Sequence, residues 1–280
     1  PQIPMMGGLS LLAAMSTRNA GVPAGASLEF ARTLEKRYRE LGGELHYRAQ
    51  VEKILVERDA RGRSRAVGVR LYDDREFRAD HVISAADGYS TIFYMLNGEF
   101  LSRRIRSHYD GHLPMHSQIQ VSLGVARDVS QHAHWVTHVL DTPIRIAGED
   151  RHALMVKNYC FDPSLAPAGK SVIVAMMPTS YGYWQRIYGH RLYDTEQDQV
   201  AQVVIDFLET IYPGLRKDIE VIDVATPLSY ERYTGNWQGA SSGWLLAKQT
   251  MLMNLIGVEK TLPGLENFWM AGQWVEPGGM

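Results

Sequence analysis

Leu262-Pro263-Gly264-Leu265-Glu266-Asn267-Phe268-Trp269-Met270-Ala271-Gly272-Gln273-Trp274-Val275-Glu276-Pro277-Gly278-Gly279, at the end of a 280-residue chain, is the stretch that decides the fold. Residues 268–271 read as a buried strand that delivers Gly272 to a tight turn, and the pair Gly278-Gly279 leaves a backbone that can pass close to a ligand. A second run of the same character lies far upstream, where Val82-Ile83-Ser84 leads into Ala85-Ala86-Asp87. The small Ala85 and Ala86 let a ligand approach the backbone, and a strand edge at Val51 can offer it N–H and C=O groups.

Outward from these runs the periodicities define the elements. Leu28, Ala31, Leu34, Tyr38 and Leu41 recur at helical spacing, with Ser27 and Glu29 near the start and Gly42-Gly43 at the end, so residues 27–41 are expected as an amphipathic helix. Residues 44–47, 51–57, 66–71 and 81–84 are expected as strands, a meander with turns at Arg61-Gly62 and Asp73-Asp74. Further strands are expected over 118–125, 153–159, 171–176 and 219–225, the second and third separated by a loop at 162–170. Val200, Val203, Val204, Phe207, Leu208 and Ile211 mark one face of a helix over 195–212 that ends at Pro213-Gly214. The pattern is α/β passing into α+β, with two interleaved lobes and no internal repeat.

Composition narrows the function classes. With 45% hydrophobic residues a real core is expected, and 29 basic against 31 acidic residues leave no overall field to attract nucleic acid. The single Cys160 cannot form an internal disulfide, which fits a cytoplasmic setting. No apolar run approaches the roughly 20 residues that span a bilayer. The chain opens on Pro1 without the pattern of a signal peptide and reads as a cut end.

Ordered motifs carry a resemblance. Gly21-Val22-Pro23-Ala24-Gly25-Ala26-Ser27 precedes the first helix, and Gly42-Gly43-Glu44-Leu45 follows it. Next come Val51-Glu52-Lys53-Ile54, Ala66-Val67-Gly68-Val69 and Ala79-Asp80-His81-Val82-Ile83-Ser84-Ala85-Ala86-Asp87, and much later Ala225-Thr226-Pro227-Leu228-Ser229-Tyr230-Glu231-Arg232-Tyr233-Thr234-Gly235-Asn236-Trp237-Gln238-Gly239. In order and spacing these resemble the phytoene desaturase and carotenoid isomerase family of FAD-dependent oxidoreductases, from about Gly21 to the C-terminus. The middle, residues 103–191, matches only in general character. Ala26 stands where the family usually has a second glycine.

The resemblance implies a two-lobed FAD flavoprotein of the glutathione-reductase-like and amine-oxidase-like kind. Residues 21–90 and 262–280 would form part of an FAD-binding domain and 91–261 a mixed-sheet substrate domain. It places Val51, Ala85, Ala86 and Asp87 on the adenine side of FAD, and Gly272, Gln273, Trp274, Gly278 and Gly279 on the flavin side. Arg232, Tyr233 and Trp237 are put near the flavin ring. The implied substrate is a hydrophobic polyene or terpenoid that is desaturated, saturated or isomerised, with no metal and no covalent side-chain catalyst. No Gly-x-Gly-x-x-Gly opens a helix in these 280 residues. The chain is therefore expected to be a fragment with little or no FAD affinity, exposing apolar surface that favours self-association, and with peripheral membrane contact in reach of an apolar substrate.

Three other patterns carry competing chemistry. Gly239-Ala240-Ser241-Ser242-Gly243 fits G-x-S-x-G, but polar Asn236-Trp237-Gln238 precedes it where a hydrolase elbow needs an apolar strand, so a loop is expected. His132, His134 and His138 lack a cysteine or carboxylate at ligand spacing and are expected to be structural or solvated. Aromatic and cationic residues interleave over 181–191, which is expected as aromatic core with a solvated edge. A binding module for apolar ligands and a serine hydrolase using Ser241 remain as alternatives.

Overall fold

The computed structural model describes residues 9, 12–14, 16–17, 21–245, 247–251, 253 and 258–276. They fall into two compact units: residues 1–21, 43–116 and 234–280 form one, and 22–42 with 117–233 form the other.

In the first unit, β1 (Val51–Arg58) and β2 (Ser64–Leu71) pair antiparallel, Val51 opposite Leu71. Their turn is fixed by Asp59, whose Oδ1 accepts the N–H groups of Arg61 and Arg63 at 2.9 Å. These N–H donors hold the Asp59 carboxyl below its ordinary range. The strand β3 (Glu76–Arg78) pairs with β2 on the meander side. A separate parallel pair joins β4 (Val82–Ser84) to a strand near the C-terminus, β11 (Phe268–Met270), while β10 (Leu265–Glu266) runs parallel to β2. Val82, Phe268 and Met270 are buried and Ile83 and Trp269 are not, so this two-stranded sheet presents one face to a core shared with Ile54, Ala66, Ile92 and Leu262.

The second unit is built on an antiparallel sheet of order β6-β7-β8-β5-β9: Trp135–Ile146, Glu149–Asn158, Ser171–Thr179, Ser117–Val125 and Ile219–Ala225. Along β5 the odd positions Ile119, Val121, Leu123 and Val125 are buried and the even ones are only half-buried, the alternation read from the sequence. The helix at Tyr193–Ile211 lays Val200, Val204, Ile205 and Leu208 on that buried face. The 181–191 stretch begins with a helix, Tyr181–Gly189, whose Trp184 is fully buried and donates its indole N–H to Thr179 Oγ1 at 3.0 Å. A helix at Pro227–Thr234 follows β9.

One expectation is corrected. Residues 44–47 join no ladder among the described residues; a strand exists only where a neighbour takes up its hydrogen bonds, and Leu45 and Tyr47 stay exposed. The amphipathic helix is present as α1 (Ala26–Glu40), yet it buries no residue: Leu28, Phe30, Leu34 and Tyr38 are all at least half exposed. Helical period identifies an apolar face without supplying what covers it. At the start of α1, Gly25 donates its N–H to Asp162 Oδ2 at 2.8 Å, and Ala26 takes φ 58°, a left-handed conformation at the position where the resemblance leads one to look for glycine.

These environments predict different mutational costs. Leu208→Ala should lower stability by about 2–5 kcal/mol, Leu34→Ala should stay within about 0.5 kcal/mol, and Ala26→Gly should gain about 1 kcal/mol by relieving the left-handed alanine, all read from urea unfolding of the purified chain.

Candidate functional site

The pairing of β4 with β11 sets Ser84 beside Met270, and Ala271 donates its N–H to the Ser84 carbonyl at 2.9 Å. Ala85-Ala86 and Ala271-Gly272 thus leave neighbouring carboxyl ends of two parallel strands, and all four residues are exposed. Gly272 has φ +90°, and a Cβ built on it would meet nothing within 4 Å. Its carbonyl accepts N–H groups from Val275 and Glu276 at 3.1 Å, which closes the turn. The crevice outside the carboxyl ends of parallel strands, where a switch in connection leaves the backbone open, is where α/β sheets hold ligands. Of the other residues singled out from sequence, Val51 is half-buried at the start of β1, in the neighbouring sheet of the same unit. Gln273 donates from Nε2 to Asn236 Oδ1 at 3.1 Å. Gly278 and Gly279 lie outside the described residues.

Asp87, the third residue after β4, is buried and its two oxygens serve different segments. Oδ1 accepts the Ser90 N–H at 2.7 Å and Oδ2 the Trp237 N–H at 2.8 Å. Burial outweighs these donors and pushes the carboxyl above its ordinary range. The Trp237 ring stacks on Tyr89 with centroids 4.8 Å apart and planes 3° apart. Tyr109 meets both rings edge-on, and Trp244 stands perpendicular to Trp274 at 5.0 Å. Burial, and then the Asp87 charge, drive the Tyr109 hydroxyl well above its ordinary range. Trp274 is buried, and its indole N–H has no hydrogen-bond partner among the described residues.

Arg232 and Tyr233, grouped with Trp237 on the sequence, end the Pro227–Thr234 helix and belong to the second unit. There the Arg232 guanidinium lies 5.5 Å from the Tyr233 ring, which is 80% exposed. Tyr89, Tyr109 and Trp244 were not singled out; the sequence signal available was Tyr89 two residues after Asp87.

Ser241 Oγ lies 3.3 Å from His116 Nε2 and 3.3 Å from the His116 carbonyl, long for hydroxyl hydrogen bonds. Burial depresses the imidazole's affinity for a proton. Residues 241–244 are bends, the next described helical turn does not begin until Lys248, and among the described residues no carboxylate is hydrogen-bonded to His116, so nothing orients it as the base of a triad. Gly243 has another reason to be glycine: a Cβ there would stand 2.1 Å from the Gln273 carbonyl oxygen. Each of the three histidines has an aromatic or polar neighbour: His132 with Tyr212, His134 with Asn158 and Phe161, and His138 with Phe207. No cluster of three metal-ligating side chains occurs among the described residues, and none of their helices is long and apolar enough to cross a membrane.

The profile of the flavin-containing amine oxidoreductases matches residues 11–279. The chain belongs to this family. Within it the chain is similar to a chloroplastic prolycopene isomerase of Arabidopsis thaliana, 27% identical over 85% of this chain and 40% of the relative. It is also similar to a lycopene-forming phytoene desaturase of Pseudescherichia vulneris, 26% identical over 74% of this chain and 42% of the relative. The chain therefore spans less than half the length of these curated relatives. Among solved structures, an oxidoreductase from Methanosarcina mazei superposes with a TM-score of 0.58 at 18% identity, covering 92% of this chain and 51% of the other, so the two share a fold. The family supports an amine-oxidase-like fold with mixed and antiparallel sheets, and it implies FAD in the full-length protein.

The packing at Gly243 gives a direct check on the loop. Gly243→Ala must displace the Gln273 backbone and should lower stability by about 1–3 kcal/mol, whereas Ser241→Ala should change it by less than about 0.5 kcal/mol in the same urea titration.

Proposed function

We propose that the full-length protein is a two-lobed FAD-dependent oxidoreductase that desaturates, saturates or isomerises a hydrophobic polyene or terpenoid-like substrate, and that this chain supplies the strand-end part of its flavin site. One observation carries this reading: in a chain of a flavin-containing family, β4 and β11 end side by side, with Ala85, Ala86 and Gly272 exposed and open space over Gly272. Small residues at adjacent strand ends fit a long, partly planar ligand that must lie against backbone, and the unpaired Trp274 N–H is a donor of the kind a ligand acceptor or water would satisfy. Val51, Ala85, Ala86 and Asp87 would attend the adenine side. Gly272, Gln273, Trp274, Gly278 and Gly279 would attend the flavin side, with Trp237, Arg232 and Tyr233 near the ring.

When bound, the flavin would supply the redox chemistry by accepting or returning a hydride. The protein's own part is then to orient and to keep water out, for which the Tyr89, Tyr109, Trp237, Trp244 and Trp274 rings are suited. In this reading residues 21–90 and 262–280 contribute to the FAD domain and 91–261 to the substrate domain. The substrate class follows from the relatives' names, prolycopene isomerase and phytoene desaturase. A polyene resides in lipid, which favours peripheral membrane contact by a cytoplasmic protein, and the bare apolar face of α1 favours self-association of the isolated chain.

Absorption spectra test the reading. The full-length protein should purify yellow and bleach on anaerobic reduction, and its Ser241→Ala variant should retain more than about a tenth of the activity, since loss of a true nucleophile costs orders of magnitude. The 280-residue chain alone, which carries no Gly-x-Gly-x-x-Gly, should be colourless. Micromolar or tighter FAD binding by this chain would overturn the division of the site. A full-length protein that binds carotenoid but no flavin would replace the enzyme with a binding module.

A further inference from the structure

We infer that Asp87 is a positioning residue whose two carboxylate oxygens form a latch between the exit of β4 and the 234–239 loop, holding the Trp237 ring stacked on Tyr89. A buried carboxylate is costly unless its oxygens are hydrogen-bonded. Here the partners are backbone N–H groups from segments far apart in sequence, Ser90 on Oδ1 and Trp237 on Oδ2. The first arm is ordinary helix capping, since the helical run that turns π-helical over Ser90–Met95 begins at Gly88, directly after Asp87, and serine or asparagine would serve there as well. The second arm needs explaining. A cap requires one acceptor, and an ionised carboxylate adds a second that carries no hydrogen, so it can take a distant N–H without presenting a competing donor.

The loop that receives this arm has little regular structure to hold it. Gly235, Gln238 and Gly239 all have left-handed φ values, of 71°, 53° and 59°, around Trp237. Asn236 contributes a bond to the Ala240 carbonyl and accepts one from Gln273. The Asp87 contact fixes the Trp237 backbone directly to the segment bearing Tyr89, and Tyr89 is two residues beyond Asp87. Latch and stack therefore join the same two stretches of chain, one through backbone and one through rings. Tyr109 is the titratable side chain at which the Asp87 charge is felt, and burial first and that charge second keep its hydroxyl protonated through the neutral range. The bearing of this latch on catalysis rests on the flavin reading above, which puts Trp237 near the ring; the latch itself is tested on the chain without flavin.

The probe is the near-ultraviolet circular dichroism of the 280-residue chain. Trp237→Phe identifies the band due to the stacked pair. Asp87→Asn, which keeps the shape of the carboxylate but turns one arm into a donor facing an N–H, should lose most of that band while far-ultraviolet dichroism is unchanged. Ser84→Ala is the control for simple destabilisation: it removes the buried Ser84–Thr91 hydroxyl contact of 2.8 Å and should keep the band at temperatures where it is folded. An Asp87→Asn chain that is folded and keeps the band overturns the inference. Should that variant not fold, the wild-type amides decide: by NMR, the Ser90 and Trp237 N–H signals should follow one shared acid titration, with a midpoint above the ordinary aspartate range. Separate midpoints, or no titration of the Trp237 amide, would equally refute the latch.

Discussion

Three residues of β4 lying beside three residues of β11 close the first unit, and the ends of both strands take their places from that contact. The ladder is short, so its stability must come mainly from the side chains it buries: Val82 on one strand and Phe268 and Met270 on the other, each less than a tenth exposed. Most of the second unit, residues 117–233, intervenes in sequence between these strands. Closing so long a loop is less expensive than it looks, because the entropy of closure grows only logarithmically and each doubling of length adds about 0.6 kcal/mol. A large insertion can thus sit between the strands of one small sheet without preventing its formation. The consequence for function is that Ala85 and Gly272, remote in sequence, become neighbours on the same edge.

What was legible in the sequence followed from period and residue size. β5 alternates cleanly, and the helix over Tyr193–Ile211 repeats its apolar positions at helical spacing, so both could be read without a partner in view. β6 could not. Its pairing with β7 slips between Val139 and Ile144, the segment holding Asp141 and Pro143, and such an irregularity erases the alternation on which a strand reading depends. The Pro227–Thr234 helix is hidden for another reason: Thr226-Pro227 lies within a run that resembles a family motif, which masks proline's own role as a start signal at the first helical turn. Its entry is tied by Ser229, whose hydroxyl accepts the Thr226 N–H at 3.1 Å.

The candidate site divides the same way. Small residues after β4 and β11 mark themselves, because few other reasons place alanine and glycine in succession at a strand end. Aromatic residues do not, since Tyr89, Tyr109 and Trp244 have no common period and any one of them reads as core. Asp87 was singled out, but its two hydrogen bonds could not be foreseen: an aspartate after a strand serves equally as cap, ligand contact or solvated charge until the 234–239 loop is seen to return to it. α1 marks the limit from the other side. Its pattern is clear and its fold correct, yet its apolar face is bare, because periodicity describes a helix and burial describes its neighbours.

Glycines separate protein packing from ligand approach at this edge. At Gly88 a Cβ would stand 2.4 Å from the Tyr109 hydroxyl and 2.9 Å from Trp274 Cβ, and at Gly243 it would stand 2.1 Å from the Gln273 carbonyl. Those two are glycine because the chain's own atoms fill the space, and substituting them would test packing alone. Gly272 is different: nothing among the described residues occupies the position of its missing side chain, and its φ of +90° is a conformation that L side chains rarely adopt. Openness alone does not mark a site, since the turn glycines Gly42 and Gly62 are open in the same way; what sets Gly272 apart is its place beside the end of β4. In the proposed reading the ligand would lie over this opening at the end of β11, beside Ala85 and Ala86, while Gly88 and Gly243 serve the packing of the chain itself.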